Sequence, residues 1–333
     1  MPGSSSASCP ARCCCRPSRP RPSTRPTAER GLHPAARSNR KGPPVLSDAI
    51  APTAQALPRI PIGEWFADFI RFLTNEFAWL FEGMRAVFAA SVGTLESVLL
   101  FPHPLVFIAI VTALGWYLRG PGFAVFTLLA FLLIDSMELW IPTMDTLAMI
   151  LIATIVAIAV AIPVGIWAAR RATVSTIVRP ILDFMQTLPP FVYLIPAVFL
   201  LRVGTPPGLL ATLIFAIPPG VRLAELGIRQ VDKEVVEAAE AFGASKRQIL
   251  WRVQVPLAMP TIMQGVNQVI MLALSMVVIA GMIGAGGLGS EVVEGVTRLR
   301  LGTGFEGGIA VVILAIFLDR ITSFMRDRAL AES

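Results

Sequence analysis

Between Arg252 and Glu291 the chain runs for 38 residues without a charged side chain, and between Asp145 and Arg170 it does so for 24. About 20 predominantly apolar residues suffice for a helix to cross the hydrocarbon core of a bilayer. A chain placed in that medium must satisfy its own backbone hydrogen bonds, which favours helices for runs of this length. Composition points the same way. Of 333 residues, 55% are hydrophobic and 15% charged, with a mean hydropathy of +0.69, whereas soluble domains carry about a quarter charged residues. A soluble globular enzyme is excluded.

Further uncharged runs fix the number of crossings. There are 22 residues between Glu96 and Arg119 and 15 between Arg119 and Asp135, with Gly120-Pro121-Gly122 as the turn of a helical hairpin. Asp183 to Arg202 brackets 18, Arg202 to Arg222 brackets 19, and a shorter apolar centre of 12 lies within 305–324. The 38-residue run is too long for one crossing, so its ends are expected to be a loop entry and a glycine-rich exit. The expectation is an all-α integral membrane protein with about seven transmembrane helices. Residues 62–97 differ: Trp65, Phe66, Phe69, Phe72, Leu80, Phe81, Met84 and Phe88 recur at helical spacing but are interrupted by charges. This predicts one or two amphipathic helices lying at the interface.

Charge sets sidedness. With the 222–252 loop placed in the cytoplasm, thirteen Lys/Arg fall inside, from Arg119 to Arg328, and of those beyond the 62–97 segment, which carries Arg71 and Arg85, only Arg202, Arg298 and Arg300 fall outside. The positive-inside rule therefore selects this orientation. The N-terminus then lies outside, an awkward place for the Arg-rich segment before residue 60. Residues 1–59 hold ten Lys/Arg against two acids and contain all four cysteines, Cys9, Cys13, Cys14 and Cys15. Residues 1–58 read as a disordered Arg/Pro/Ser-rich tail with too little apolar surface to fold. The first 44 read as translated upstream sequence, with the true start near Val45. The cysteines lack a second pair of ligands at zinc spacing, so no metal site is expected. The basic charge reports the tail rather than a nucleic-acid-binding surface.

The longest polar interruption in the body surrounds residues 230–254. Asp232 can cap a short helix, Gly243 can end it in a left-handed conformation, and Ser245 with Gln248 can form a capping box opening a second helix. Pro256 is expected to close this unit before the next span. Small Ala238 and Ala239 leave room for another body to approach.

Glu237-Ala238-Ala239, three residues, Gly243, nine residues, then Val253-Gln254-Val255-Pro256 resembles the EAA loop of ABC-importer permeases. In that pattern Val253 and Val255 stand where the family carries Ile and Leu. The stretches RPILDFMQTLPPFVYLIPAVFL, AIPPGVRL, PLAMPTIMQGVNQVIMLALSMVVIAGMIGAGGLG and ILAIFLDR are similar to the permease subunit of glycine betaine/proline betaine importers. The resemblance covers about residues 62–326. It implies a type I, MetI-like permease domain over 144–323, preceded by interfacial helices and a scaffold hairpin over 59–143 and followed by a cytoplasmic tail over 324–333. It also implies a multi-pass protein of the bacterial inner membrane that pairs with a second copy of itself, a cytoplasmic ATPase and an extracytoplasmic substrate-binding protein. The chain has no G-x-x-x-x-G-K-[ST] sequence. ATP and Mg are thus expected in the partner subunit, with no cofactor or metal bound here and no catalytic residues. Glu237 and Gly243 are the expected coupling contacts to the ATPase, within the set Glu237, Ala238, Ala239, Gly243, Val253, Val255 and Pro256. Glu237 also reads as an ordinary solvated helix charge.

Pro189, Pro190 and Pro196 interrupt one span, and broken spanning helices often line cavities. Met185, Pro189, Pro190, Phe191, Tyr193 and Pro196 are the candidate translocation path, where Phe191 and Tyr193 could meet a quaternary ammonium by cation–π attraction. Tyr193 reads equally as a buried aromatic. Asp183 is expected to pair with Arg179, one turn earlier. The G-x-G-x-x-G match at Gly284, Gly286 and Gly289 follows a membrane helix rather than a strand and so does not read as a dinucleotide site. The competing readings keep the architecture but import choline, proline or carnitine, or make the chain an ion-coupled secondary transporter. The latter calls for inverted repeats or paired intramembrane acids, and neither is visible in the sequence.

Overall fold

The computed structural model describes residues 61–331, with side chains to Phe324. The N-terminal tail, its cysteines and the proposed start at Val45 lie outside the described residues. Among the described residues every regular element is a helix: α1 (Ile62–Glu76), α2 (Ala78–Leu100), α3 (Pro104–Arg119), α4 (Pro121–Ser136), α5 (Trp140–Arg170), α6 (Ala172–Thr187), α7 (Pro190–Leu201), α8 (Thr205–Arg229), α9 (Lys233–Ala241), α10 (Lys246–Ile249), α11 (Val255–Ala280), α12 (Gly287–Thr297) and α13 (Leu301–Ala331).

Four of these carry the core. Helices α5, α8, α11 and α13 are each long and apolar enough to cross a membrane. At about 1.5 Å per residue, the 31 residues of α5 span about 46 Å, more than the bilayer core requires. Met144, Met149 and Ile150 of α5 pack with Leu209 of α8, Val269 and Val277 of α11, and Leu314 of α13. Helix α8 is wedged between α5 and α11 by small residues. A Cβ on Gly165 of α5 would meet the Cβ of Ala224 at 2.6 Å and the carbonyl oxygen of Val221 at 2.7 Å, and one on Gly227 of α8 would meet the Cβ of Thr261 at 3.0 Å. Such close backbones are how helices associate where no hydrophobic effect drives them together.

A further crossing is broken: α6 and α7 meet at an angle of 96° across Leu188 and Pro189. Pro189, between the two helices, lacks the N–H that would continue α6, and it biases Leu188 to an extended conformation (ψ 131°). The hairpin forms as its turn sequence requires, with Gly120 at φ 88° between α3 and Pro121, the first residue of α4. At 16 residues each, α3 and α4 reach about 24 Å, so the expected seven crossings resolve into four long helices, one bent pair and two short apolar helices.

Arg119 at the hairpin turn donates through Nε to the carbonyl of Arg320 on α13 at 3.2 Å. The turn therefore lies at the same end of the bundle as the 230–254 loop, called here the loop end. At the opposite, far end, Thr205 donates to the carbonyl of Ala285 and the Leu288 amide donates to Thr146.

The N-terminal helices are among the least buried of the described residues. Helix α1 buries no residue and α2 buries only Val92. Although α2 is long and apolar enough to cross, both its ends contact the far end of the core. Glu82 approaches Arg202, beyond α7, at 3.8 Å, and the Glu96 carboxyl reaches that of Asp145 near the start of α5. Helix α2 thus runs across the far end rather than through the bundle.

Candidate functional site

The 230–254 segment folds as its caps dictate. The Asp232 carboxylate accepts from the Glu234 amide at 3.0 Å and starts α9. Gly243 follows the end of α9 at φ 81°. The Ser245–Gln248 capping box is complete: the Ser245 amide donates to Gln248 Oε1 at 2.8 Å and the Gln248 amide to Ser245 Oγ at 3.4 Å. The elbow presents Glu237 and Ala238 to the exterior and leaves Ala239 half-buried. Phe242 at its tip is 93% exposed.

Pro256 does not close this unit. The chain continues from α10 through a π-helical turn, Leu250–Gln254, directly into α11. The Val255 amide bonds back to the Leu250 carbonyl, a wider loop than an α-turn allows. A proline clashes with the carbonyl four residues before it, and the π turn relieves that clash by widening the helix where Pro256 enters. Val253 and Val255 lie half-buried in this segment, while Pro256 remains exposed. The elbow is therefore joined to α11 by continuous helix. At its other end it joins α8 through only Gln230, Val231 and Asp232.

Glu237 lines a cleft of about 260 Å³ with Arg170, Arg229 and Lys233, basic residues of its own chain. A second cleft, about 520 Å³, lies beside it and is bordered by Trp167, Arg170, Arg171, Glu240 and Lys246. The loop end is thus an open, mainly basic surface with the acidic face of α9 set into it.

The candidate path residues divide. Pro189 is exposed and Phe191 is 48% exposed, while Met185, Pro190 and Pro196 are half-buried. Tyr193 is 7% exposed and turns inward with Leu194 against Ala211 and Met276, its hydroxyl 3.8 Å from the Met276 sulfur. The bend thus presents Pro189 and Phe191 outward, with Tyr193 packed behind them.

Asp183 pairs with Arg222 of α8, not with Arg179. Arg179 instead reaches across to Glu225 of α8 at 2.9 Å. Glu225 is 3% exposed, and a carboxylate so deeply placed requires charged partners and hydrogen bonds to remain ionised. Sequence reasoning missed Glu225. The available signal was an acid set between Arg222 and Arg229 in a helix otherwise rich in small apolar residues, since an ionisable group in a spanning helix marks function by default. It also missed the Glu96–Asp145 contact, which joins two residues 49 positions apart. Gly286 caps the start of α12, and a short 3₁₀ turn, Gly281–Ile283, precedes the glycine run. The run follows α11 and that turn, with no strand before it among the described residues, so it is the exit from α11 and not a dinucleotide fold.

A family described as binding-protein-dependent transport system inner membrane component matches residues 161–329. The chain is 50% identical over 266 residues to the glycine betaine transport system permease protein OpuAB of Bacillus subtilis, covering 80% of this chain and 94% of that one. It is 46% identical over 263 residues to the glycine betaine/proline betaine permease ProW of Escherichia coli, covering 79% and 74%. It is 44% identical over 280 residues to the glycine betaine/carnitine permease GbuB of Listeria monocytogenes, covering 83% and 99%. A chain of the inward-facing MetNI methionine ABC transporter aligns with TM-score 0.51 at 21% identity over 59% of this chain and 96% of that one, a likeness of fold. Permeases of this kind are transport subunits, not enzymes; a separate ATPase and a substrate-binding protein complete the importer. The bent apolar crossing, the capped elbow and these relatives together place the chain in the binding-protein-dependent transport system inner membrane component family, as a multi-pass permease subunit of a type I ABC importer.

Proposed function

We propose that this permease imports glycine betaine and related compatible solutes and so serves osmoprotection. The observation that carries the reading is the 50% identity to a glycine betaine permease over 94% of that protein's length. Two copies of the chain form the pathway between them, with the outward faces of Pro189 and Phe191 on its wall, Met185, Pro190 and Pro196 flanking them, and Tyr193 holding α7 to α11 behind. The exposed apolar surface of the bent pair, including Ile181, Phe184, Ile195 and Phe199, supports a second copy seated there.

In this reading the elbow lies in the cytoplasm. Glu237, Ala238, Ala239 and Gly243 meet the ATPase, which binds ATP and Mg. Val253, Val255 and Pro256 carry the elbow's displacement into α11. A binding protein delivers solute at the far end.

The test is uptake of labelled glycine betaine at high osmolarity in bacteria lacking their own osmolyte importers, expressing this chain with its ATPase and binding protein. Uptake is expected for the wild type and is expected to vanish for Gly243→Val, whose β-branched side chain the left-handed turn tolerates worst, while the protein stays in the membrane. Uptake that survives the substitution would remove the elbow from the coupling. The likeness to GbuB favours carnitine as the second solute; competition by unlabelled carnitine in the same cells decides it, with choline and proline as further competitors.

A further inference from the structure

One buried carboxylate ties the broken crossing to the helix that leads into the elbow. Glu225 Oε1 accepts from Ser175 Oγ at 2.8 Å and from Arg179 Nη2 at 2.9 Å, both on α6, and pairs with Arg229 Nε of its own helix at 2.9 Å. Arg229 also donates through Nη2 to the carbonyl of Ala168, in the last turn of α5, at 3.1 Å. Behind Glu225, Gly165 of α5 lets the two backbones close up, and Gly227 does the same against α11. The loop-end halves of α5, α8 and α11 therefore form one tightly packed block, with Glu225 at its edge facing α6.

Apart from this polar tie, helix α6 is held by one apolar cluster, in which Leu182 with half-buried Val178 and Met185 packs against Ala161 of α5 and Val221 of α8. Only Ser175 and Leu182 are buried along its length, and Ser175 is itself a Glu225 partner. The remaining polar link, Asp183 to Arg222, is exposed on both sides, with side chains 63% and 42% accessible. An exposed pair exchanges readily with water and contributes little. Separating α6 from Glu225 would instead strand a buried carboxylate without two of its three partners. The base of α6 is therefore tied to α8 through Glu225, while its upper part rests on the apolar packing of Leu182 and Met185 and on the exposed pair.

We propose that Glu225 is a positioning residue for transport: it is the pivot through which displacement of the elbow at the end of α8 reaches the bent crossing that walls the pathway. The proposal rests on the reading of the chain as an ATP-driven permease, and it assigns to Ser175, Arg179, Glu225 and Arg229 a role that lies outside the EAA loop. It does not require Glu225 to touch the solute.

The test separates pivot from scaffold by the ratio of solute moved to ATP hydrolysed. The complete importer, reconstituted in liposomes, is assayed for glycine betaine uptake and for ATP hydrolysis per complex, as wild type, Glu225→Gln and Arg179→Gln. For Glu225→Gln the uptake is expected to fall about tenfold, a typical size for a lost coupling between sites, with hydrolysis per complex retained. Arg179→Gln removes a side chain that is 58% accessible, leaves Ser175 and Arg229 on the carboxylate, and is expected to lower the same ratio by a smaller factor. It keeps the test open if Glu225→Gln fails to assemble. An unchanged ratio in the variants that assemble overturns the proposal. So do uptake and hydrolysis falling together, because that pattern belongs to a residue that only maintains the fold. A wild-type complex that hydrolyses ATP without moving glycine betaine would overturn the underlying importer reading instead.

Discussion

Gly243 is constrained by its backbone and by nothing around it. It sits at φ 81°, and a Cβ placed there meets no atom within 4 Å. A side chain is therefore disfavoured only by the left-handed conformation, which costs a non-glycine residue about 1–2 kcal/mol and which Asn and Asp tolerate better than β-branched residues. Gly243→Asn is expected to keep the elbow folded and to retain more uptake than Gly243→Val, which forces the turn open. Uptake measured side by side at matched membrane levels checks the order. If the two variants behave alike, the contact with the ATPase, not the turn, decides what is allowed at this position. Gly165 is the opposite case, with a helical backbone but a neighbouring Cβ at 2.6 Å. Gly165→Ala overfills the α5–α8 contact, a change that typically costs about 1–3 kcal/mol. Gly83 of α2 has open space around it, and alanine there is expected to be neutral or to raise stability by up to about 1 kcal/mol. Thermal unfolding in detergent should move in opposite directions for the two substitutions, or fall only for Gly165→Ala.

At the scale of elements, what could be read from the sequence is what local chemistry determines. The caps at Asp232 and at Ser245–Gln248, the left-handed Gly243 and the Gly120-Pro121 turn each depend on residues within four positions of one another, and each forms. The long uncharged runs gave the core crossings for the same reason, because a bilayer leaves the backbone so few alternatives. What could not be read depends on how one helix is rotated against another. Arg179 and Asp183 lie one turn apart and so were natural partners, yet α8 offers each a different partner, Glu225 and Arg222. The contact between Glu96 and Asp145 arises because α2 runs across the far end of the core. The π turn before Pro256 shows a middle case: the proline is visible and its clash is predictable, but the local sequence does not say whether the chain stops or widens to relieve it. Removing the cause should remove the effect. Pro256→Ala is expected to let an α-turn replace the π turn, rotating the elbow relative to α11. Uptake is then lost while membrane insertion is retained, and hydrogen exchange across 250–256 slows as the shorter bonds form.

For the whole molecule the decisive quantity is which end faces the cytoplasm, because every functional statement above depends on it. The tally of thirteen basic residues against three is a statement about sequence, and the structure adds that residues distant in the chain cluster by end. Arg119 bonds Arg320, Arg229 bonds Ala168, and Lys246 borders a cleft with Arg170 and Arg171, so the inward-assigned residues are neighbours in space. The chain lends itself to a direct check, since its four cysteines all precede residue 16 and the helical body has none. With Cys9, Cys13, Cys14 and Cys15 replaced by serine, Phe242→Cys reports on the loop end and Leu299→Cys on the far end; both parent side chains are highly exposed. A membrane-impermeant thiol reagent added to intact cells is expected to label the cysteine at 299 and spare the one at 242, and inverted vesicles should give the reverse. Co-expression of the ATPase should then protect position 242 in inverted vesicles while leaving 299 unaffected in cells. Labelling of 242 from outside would turn the molecule over and place the elbow where no ATPase can reach it. Labelling from inside without protection would leave the topology standing but remove Phe242 from the docked surface, confining the contact to the Glu237 side of α9.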